Sequence, residues 1–560
     1  MIPLHSMLYK ELADVYSELE KTTKRLEKTE IISNFFKRVL VGDIRKVVYL
    51  LKGSIYAQWE GDKLGVSERL IIKIISESSG INQSEIEKLW KKLGDLGKVA
   101  EEVLGNKKQS TLSSKKLTLK KVFENLRKLS SFEGSGTVSK KISLVVELLN
   151  NANPLEARYI VNTIVNDLRV GVASGVIRDS IAKAFDKDAD EVENVYNLTT
   201  DYGETAELAM QNKMHGNLTP GKPIRLQLAI RTESIEEALK AVGKPAQCEF
   251  KIDGFRLQIH FDGRETKLFT RSMENVTKQF PDVVKTVTGN VKGQDFILDS
   301  EVVGHKDEIY LPFQNISQRI KRKYDIENTA KNFPVEVDIF DVVYHNGKNL
   351  MNSPLSERRK LLEKIVNQKS GKIILTRKII SGNEEEIERF YSEALQRGTE
   401  GLMLKNLEGA YKPGRYVNGW VKLKPVMEPL DLVITKAEWG EGKRSDWLSS
   451  FTVSCKKGEE FLEMGKVGSG VKEKNEGVKF SELTKELRRL IINDHGKTVE
   501  VKPKLIIEVS YEEIQKSPTY KSGFALRFPR ILRVRSEKDV EEINTLSDVE
   551  RIYSRQRYRK

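Results

Sequence analysis

Cysteine is almost missing from this 560-residue chain: only Cys248 and Cys455 occur. Two thiols exclude a disulfide-rich scaffold and any zinc site built on three or four cysteines. Histidine is also scarce, at six residues, and nothing in their placement points to a zinc site. No apolar run reaches the roughly 18 residues that a membrane span needs. The N-terminal stretch MIPLHSMLYKELADVY turns charged at Lys10 and lacks an apolar leader core, so a cytoplasmic protein is expected. Disorder is excluded as well, because 39% of the residues are hydrophobic.

Charge is abundant. Lys and Arg number 95 against 81 Asp and Glu, a net charge of +14. A basic excess on a mixed background fits a polyanionic partner, most often nucleic acid. At about 150 residues per domain, the length predicts three or four domains.

The texture changes twice along the chain. Residues 1 to about 215 read as helical, with Leu8, Leu12, Val15, Tyr16 and Leu19 at helical spacing and Pro154 suited to a helix start. Within them 105–116 reads as a connector. Gly and Pro crowd into HGNLTPGKPIR, 215–225, which marks a boundary. Short β-rich runs follow at 247–252, 255–261, 296–303, 335–344, 401–405 and 419–424, separated by helical stretches such as 355–367 and 384–396. A second break at KPVMEPLDL, 424–432, precedes further short strands that fit a small β-barrel. The tail, 536–560, reads as helical and basic.

The run QCEFKIDGFRLQIHF, 247–261, carries the first chemical signal. Asp253-Gly254 between two β-rich runs predicts a hairpin. Strand alternation places Glu249, Lys251 and Asp253 on one face. A lysine between two carboxylates is a weak surface ion pair or a nucleophilic amine. With an ordinary pKa near 10.4, only a small fraction of a free lysine is neutral at pH 7, so a nucleophile needs nearby cations or desolvation. Elsewhere, Asp299 and Glu301 in LDSEVV share a strand face and suit Mg²⁺. Glu400 and Lys405 bracket the apolar run of EGLMLK. Lys422 and Lys424 share a face of GWVKLKP, a repulsive arrangement that an anion between them would relieve.

Together these runs resemble the covalent nucleotidyltransferases, and more closely the ATP-dependent DNA ligases of the archaeal and eukaryotic replicative type. The KxDGxR signature stands at 251–256. FTRSMENVT (269–277), LDSE (298–301), IFDVVYHNG (339–347), EGLMLK (400–405) and WVKLK (420–424) follow in the family order. KPKLIIEVSYEEIQKSPTYKSG (502–523) and ALRFPRILRVRSEK (525–538) resemble the family's C-terminal region, and ARYIVNTIVNDLRVGV (157–172) its helical DNA-binding domain. Glu537 departs from the aspartate common before the last lysine, here Lys538. The scarcity of cysteine separates the chain from NAD-dependent bacterial ligases.

The resemblance implies an all-α DNA-binding domain at 1–218, an α+β adenylation domain at 219–425 and an OB-fold β-barrel at 426–560. It implies that Lys251 becomes AMP-linked, with Glu249, Arg256, Arg271, Glu301, Phe340, Arg415, Lys422, Lys424, Arg527, Arg533 and Lys538 around the ATP. Glu301 and Glu400 would hold Mg²⁺, or Mn²⁺ in its place. Nicked double-stranded DNA is the implied partner, gripped through phosphates by candidates such as Arg158, Arg169 and Arg178. The basic run 113–128 and the loop 440–448 are further candidates for DNA contact that also read as solvated surface, and the tail 551–560 reads as a solvated helix end. A sliding clamp and a monomeric state are implied by family only; Phe35-Phe36 reads as a helix core pair. Because the last motif lies far beyond Lys251, the barrel is expected to swing in and present Arg533 and Lys538. An RNA ligase or capping guanylyltransferase, and a catalytically dead nucleic-acid-binding scaffold, are the competing readings.

Overall fold

A computed structural model describes residues 7–60, 64–106, 116–134, 136–306, 309–311, 316, 319–320, 325–414, 416–425, 427–440, 444–473 and 477–556. Arg415, most of the connector at 105–116, the start of the run 113–128, part of the loop 440–448 and the end of the tail lie outside them.

The first region is helical, from Tyr9–Glu20 to Tyr202–Met210. Its helices start where the sequence supplies caps. Asn153 accepts from the Glu156 amide while the Glu156 side chain accepts from the Asn153 amide, and Pro154 fills the first turn. Asp201 accepts from the amides of Gly203 and Glu204 and opens the last helix. Apolar faces meet in one core that includes Phe35 and Phe36, both buried. The expected core pair is therefore what the structure contains.

The middle region places two sheets face to face. In the first, the strands run in the order Leu228–Thr232, Tyr416–Leu423, Gly401–Asn406, Ala246–Lys251, Lys378–Ser381. Helices Ile235–Val242 and Glu384–Gln396 pack on its outer face through Leu239, Val242, Ile387 and Phe390. In the second, the order is Thr266–Thr270, Phe255–Phe261, Phe296–Lys306, Val335–His345, Lys348–Asn349, with Ile373–Leu375 parallel beside Val335–His345. Trp420 and Met403 of the first sheet pack with Ile297, Phe340 and Val343 of the second.

The hairpin expected at Asp253-Gly254 does not form. Strand Ala246–Lys251 pairs with Gly401–Asn406 and Lys378–Ser381, whereas Phe255–Phe261 pairs with Thr266–Thr270 and Phe296–Lys306. The chain crosses from one sheet to the other at these two residues. Gly254 is required there by close approach: a Cβ would stand 2.3 Å from the Val302 carbonyl oxygen and 2.9 Å from Glu301 Cγ.

The C-terminal region is a branched antiparallel sheet. Leu430–Trp439 pairs with Leu448–Lys457 on one side and with both Thr498–Val501 and Ile506–Ser510 on the other. Arg530–Val534 pairs with Ile506–Ser510. Among the described residues the expected β-barrel does not close. Among the described residues, a single bridge between Ser469 and Arg530 joins the segment after Glu460–Val467 to the strand Arg530–Val534. Helix Leu546–Arg555 covers part of the tail, as its sequence predicts.

Candidate active site

A cleft of about 750 Å³ opens between the two sheets of the middle region and is walled on one side by the C-terminal region. Glu249, Lys251, Lys405, Lys422 and Lys424 line it from the first sheet and its ends, and Arg256, Arg271, Glu301 and Phe340 from the second. Glu512, Arg527 and Phe528 come from the C-terminal region.

Lys251 ends its strand, opposite Gly401. The Glu400 amide donates to the Lys251 carbonyl at 2.6 Å, which brings the Glu400 carboxylate over the lysine side chain. Gly401 permits this approach: at φ +136° it lies where a Cβ would meet the Leu423 carbonyl oxygen at 2.1 Å. Glu400 Oε2 lies 2.8 Å from both Lys251 Nζ and Lys424 Nζ. Lys424 also reaches Glu512 at 3.0 Å. Arg527 stands between Asp253, at 3.5 Å, and Glu513, at 3.3 Å.

These contacts set the charges. Burial opposes the charge on Lys251, but Glu400 and Glu301 outweigh it and hold the ammonium above its ordinary pKa. Burial likewise opposes ionisation of Glu400, yet the two lysines hold its carboxyl well below the carboxylate range. Asp253 is pushed up to about 7 by burial and by Glu400, so of this pair Asp253 takes up a proton first as pH falls. Burial raises Glu301 to about 8 against the pull of Lys251 and Arg256. Burial, then Lys424, lowers Lys422.

At the far end of the cleft, Glu249 is buried and accepts from Gln247 Nε2 at 2.6 Å. Lys405 Nζ lies 2.5 Å from its other oxygen and sits over the rings of Trp420 and Phe340 at 4.1 and 4.6 Å. Arg256 grips Asp299 with two hydrogen bonds of 3.0 and 2.6 Å. The carboxylate pair expected at 299 and 301 therefore separates: Asp299 is taken up by Arg256, and Glu301 faces the cleft. Among the described residues, no three His, Cys, Asp or Glu side chains form a metal cage.

Of the predicted residues, Glu249, Lys251, Arg256, Arg271, Glu301, Phe340, Glu400, Lys422, Lys424 and Arg527 all line the cleft. Arg533 and Lys538 do not: Arg533 pairs with Glu508 at 2.8 Å and Lys538 with Asp431 at 2.7 Å, both within the C-terminal region. Arg158 is held by Glu20 and Glu101, Arg169 by Asp167, and Arg178 by Asp179. Sequence reading gave no role to Lys405, Trp420 or Glu512. For Lys405 a signal existed, because alternation puts it on the same strand face as Met403.

Three family models match the chain: the DNA ligase N terminus over residues 8–182, the ATP dependent DNA ligase domain over 226–424 and the ATP dependent DNA ligase C terminal region over 444–538. A DNA ligase of Nanoarchaeum equitans is 46% identical over 562 residues, covering 98% of this chain and 99% of that protein. This chain is an ATP-dependent DNA ligase. Ligases of Thermococcus onnurineus and Archaeoglobus fulgidus are each 40% identical over 98% of it, covering 98% and 99% of those proteins. The solved structure described as Pmar-Lig_PreS3 has the same fold, with a TM-score of 0.55 at 17% identity, covering 94% of this ligase and 99% of that chain. Among the described residues, no helix is long and apolar enough to cross a membrane.

Proposed function

We propose that this ligase seals 5′-phosphate/3′-hydroxyl nicks in duplex DNA during replication, repair and recombination, through a lysyl-AMP and then a DNA-adenylate. The observation that carries this reading is Lys251 Nζ, set in a cleft of cations and carboxylates 2.8 Å from Glu400. Lys251 attacks the α-phosphorus of ATP; the N–P bond forms as the bond to pyrophosphate breaks. AMP then passes to the 5′-phosphate at the nick, and the 3′-hydroxyl displaces it. Each transfer depends mainly on positioning and charge neutralisation. Lys422 and Lys424 neutralise the α-phosphate, Glu249 accepts from the adenine amino group, Phe340 stacks on the base, and Arg256 and Arg271 hold ribose or phosphates. Lys251 must give up a proton before it attacks, and the contact with Glu400 holds it as the ammonium until then.

Glu301 and Glu400 offer the hard oxygen donors that Mg²⁺ prefers, one or two carboxylates with the remaining ligands from phosphates and water. The rise in the Glu301 pKa, caused mainly by burial, fits such a role, since a bound cation would stabilise the ionised carboxylate there. A bound divalent ion supplies charge neutralisation at the phosphates. For the C-terminal region we propose an oligonucleotide-binding fold, supported by the long strand Leu430–Trp439 shared between two sheet branches. The working domains are 1–218, 219–425 and 426–560. Arg527 and Phe528 are the last-motif residues over the cleft in this arrangement; Arg533 and Lys538 would reach it only after a further turn of the C-terminal domain.

Incubation with α-labelled ATP and Mg²⁺ tests the reading. Label should become covalent on the wild type and not on Lys251→Ala, and nicked duplex should discharge it with sealed product. EDTA should prevent labelling and Mn²⁺ restore it. Label that nicked DNA cannot discharge would turn the assignment towards capping or RNA joining.

A further inference from the structure

Arg256 is held from three sides. Its Nε and Nη2 donate to the two oxygens of Asp299, its Nη1 donates to the Gln227 carbonyl at 2.6 Å, and its guanidinium lies 5.5 and 5.6 Å from the Phe340 and Trp420 rings. One buried hydroxyl touches both polar partners. Tyr411 Oη donates to Asp299 Oδ2 at 2.7 Å and accepts from the Gln227 amide at 3.2 Å. Its ring meets Trp420 edge-on at 5.8 Å, and its own amide donates to the Met351 carbonyl at 2.7 Å. Tyr411 is 2% exposed and does not line the cleft.

We propose that Tyr411 is a positioning residue for nucleotide capture, acting on Arg256 through Asp299 and Gln227. Arg256 spans the seam between the second sheet and the segment leading into Leu228–Thr232. Asp299 has two oxygens, and without a third group its carboxylate could turn with the arginine as one unit. The phenol removes that freedom. It donates to Oδ2, the same oxygen that Arg256 Nη2 uses, and ties that point to the Gln227 backbone. Burial and the neighbouring Asp299 raise the phenol well above its ordinary pKa, so it is a donor at every working pH. A hydrogen bond to a charged acceptor is worth more than one between neutral groups, and here it orients the guanidinium on which nucleotide contact depends.

This inference rests on the proposed function, in which Arg256 contacts the nucleotide. The test measures initial rates of Lys251 labelling against ATP concentration for the wild type, Tyr411→Phe, Arg256→Ala and the double variant. Tyr411→Phe should raise the half-saturating ATP concentration about tenfold and leave the saturating rate within about twofold, consistent with loss of one charge-assisted hydrogen bond. In the Arg256→Ala background the same substitution should change nothing further. Independent, multiplicative effects of the two substitutions would overturn the assignment, as would a lowered saturating rate with unchanged half-saturation. Tyr411→4-aminophenylalanine keeps a donor towards Asp299 and should return half-saturation to the wild-type range; a value still raised tenfold would also overturn it. Failure of the wild type to label would reject the proposed function instead.

Discussion

Gly254 is the smallest residue in the signature and the one with the least room. Its backbone runs against the strand that carries Glu301, and a methyl group there would overlap the Val302 carbonyl. Gly254→Ala must push the two strands apart and with them Lys251 from Glu301. Overpacking of this kind costs about 1–3 kcal/mol. A lowered urea midpoint, with slower lysine labelling than that loss of folded protein explains, is the expected result. His260 gives a second test at this scale. Burial holds its imidazole neutral, down to about 3. The unfolded residue takes a proton near pH 6.5, so the unfolded state binds more protons below that value and stability falls as pH drops from about 6.5 towards 3. At pH 5 the loss is about 2 kcal/mol. Melting at pH 7.5 and pH 5 should show a larger drop for the wild type than for His260→Asn.

At the scale of elements, the sequence was most legible where signals are local and least where partners are distant. The helices of the first region follow their apolar spacing and caps. Val421 and Leu423 are buried while Lys422 lines the cleft, as alternation requires. Asp253-Gly254 misled because a turn signal between two β-runs does not say whether the runs pair with each other; here Ala246–Lys251 pairs with strands far along the chain and Phe255–Phe261 with the two strands that follow it. Asp299 misled for a similar reason, since its partners Arg256 and Tyr411 come from other elements. A related tie joins Asp341, on strand Val335–His345, to Arg358, on helix Leu355–Ile365; both are fully buried and paired at 2.7 Å. Asp341→Asn strands a buried guanidinium and should cost about 3–5 kcal/mol in urea unfolding. Asp341→Leu combined with Arg358→Met should recover most of that loss.

At the scale of the molecule, the C-terminal region meets the cleft through charges. Lys424 is shared between Glu400 of its own region and Glu512 across the boundary, and Arg527 reaches back to Asp253. If Lys424 neutralises the α-phosphate as proposed, that phosphate and Glu512 compete for one ammonium. Glu512→Gln should loosen the C-terminal region, seen as a larger radius of gyration by X-ray scattering without nucleotide and as faster proteolysis between 424 and 432. No change in either would mean that the contact is incidental. The apolar cores bear on the same point. One is confined to the helical region, the middle cores draw on no residue beyond Leu423, and the C-terminal core starts at Met427. Much of what crosses the boundaries is polar, as between Gln58 and the Ser272 carbonyl or Lys222 and Glu204, with Leu198 of the helical region packed on the cluster of Leu218, Ile224 and Trp420 as an apolar exception. Such joints are hydratable: when they part, water takes the place of each lost partner and little oily surface is bared. A parting of the regions around a duplex would therefore leave the greater part of each region's core in place.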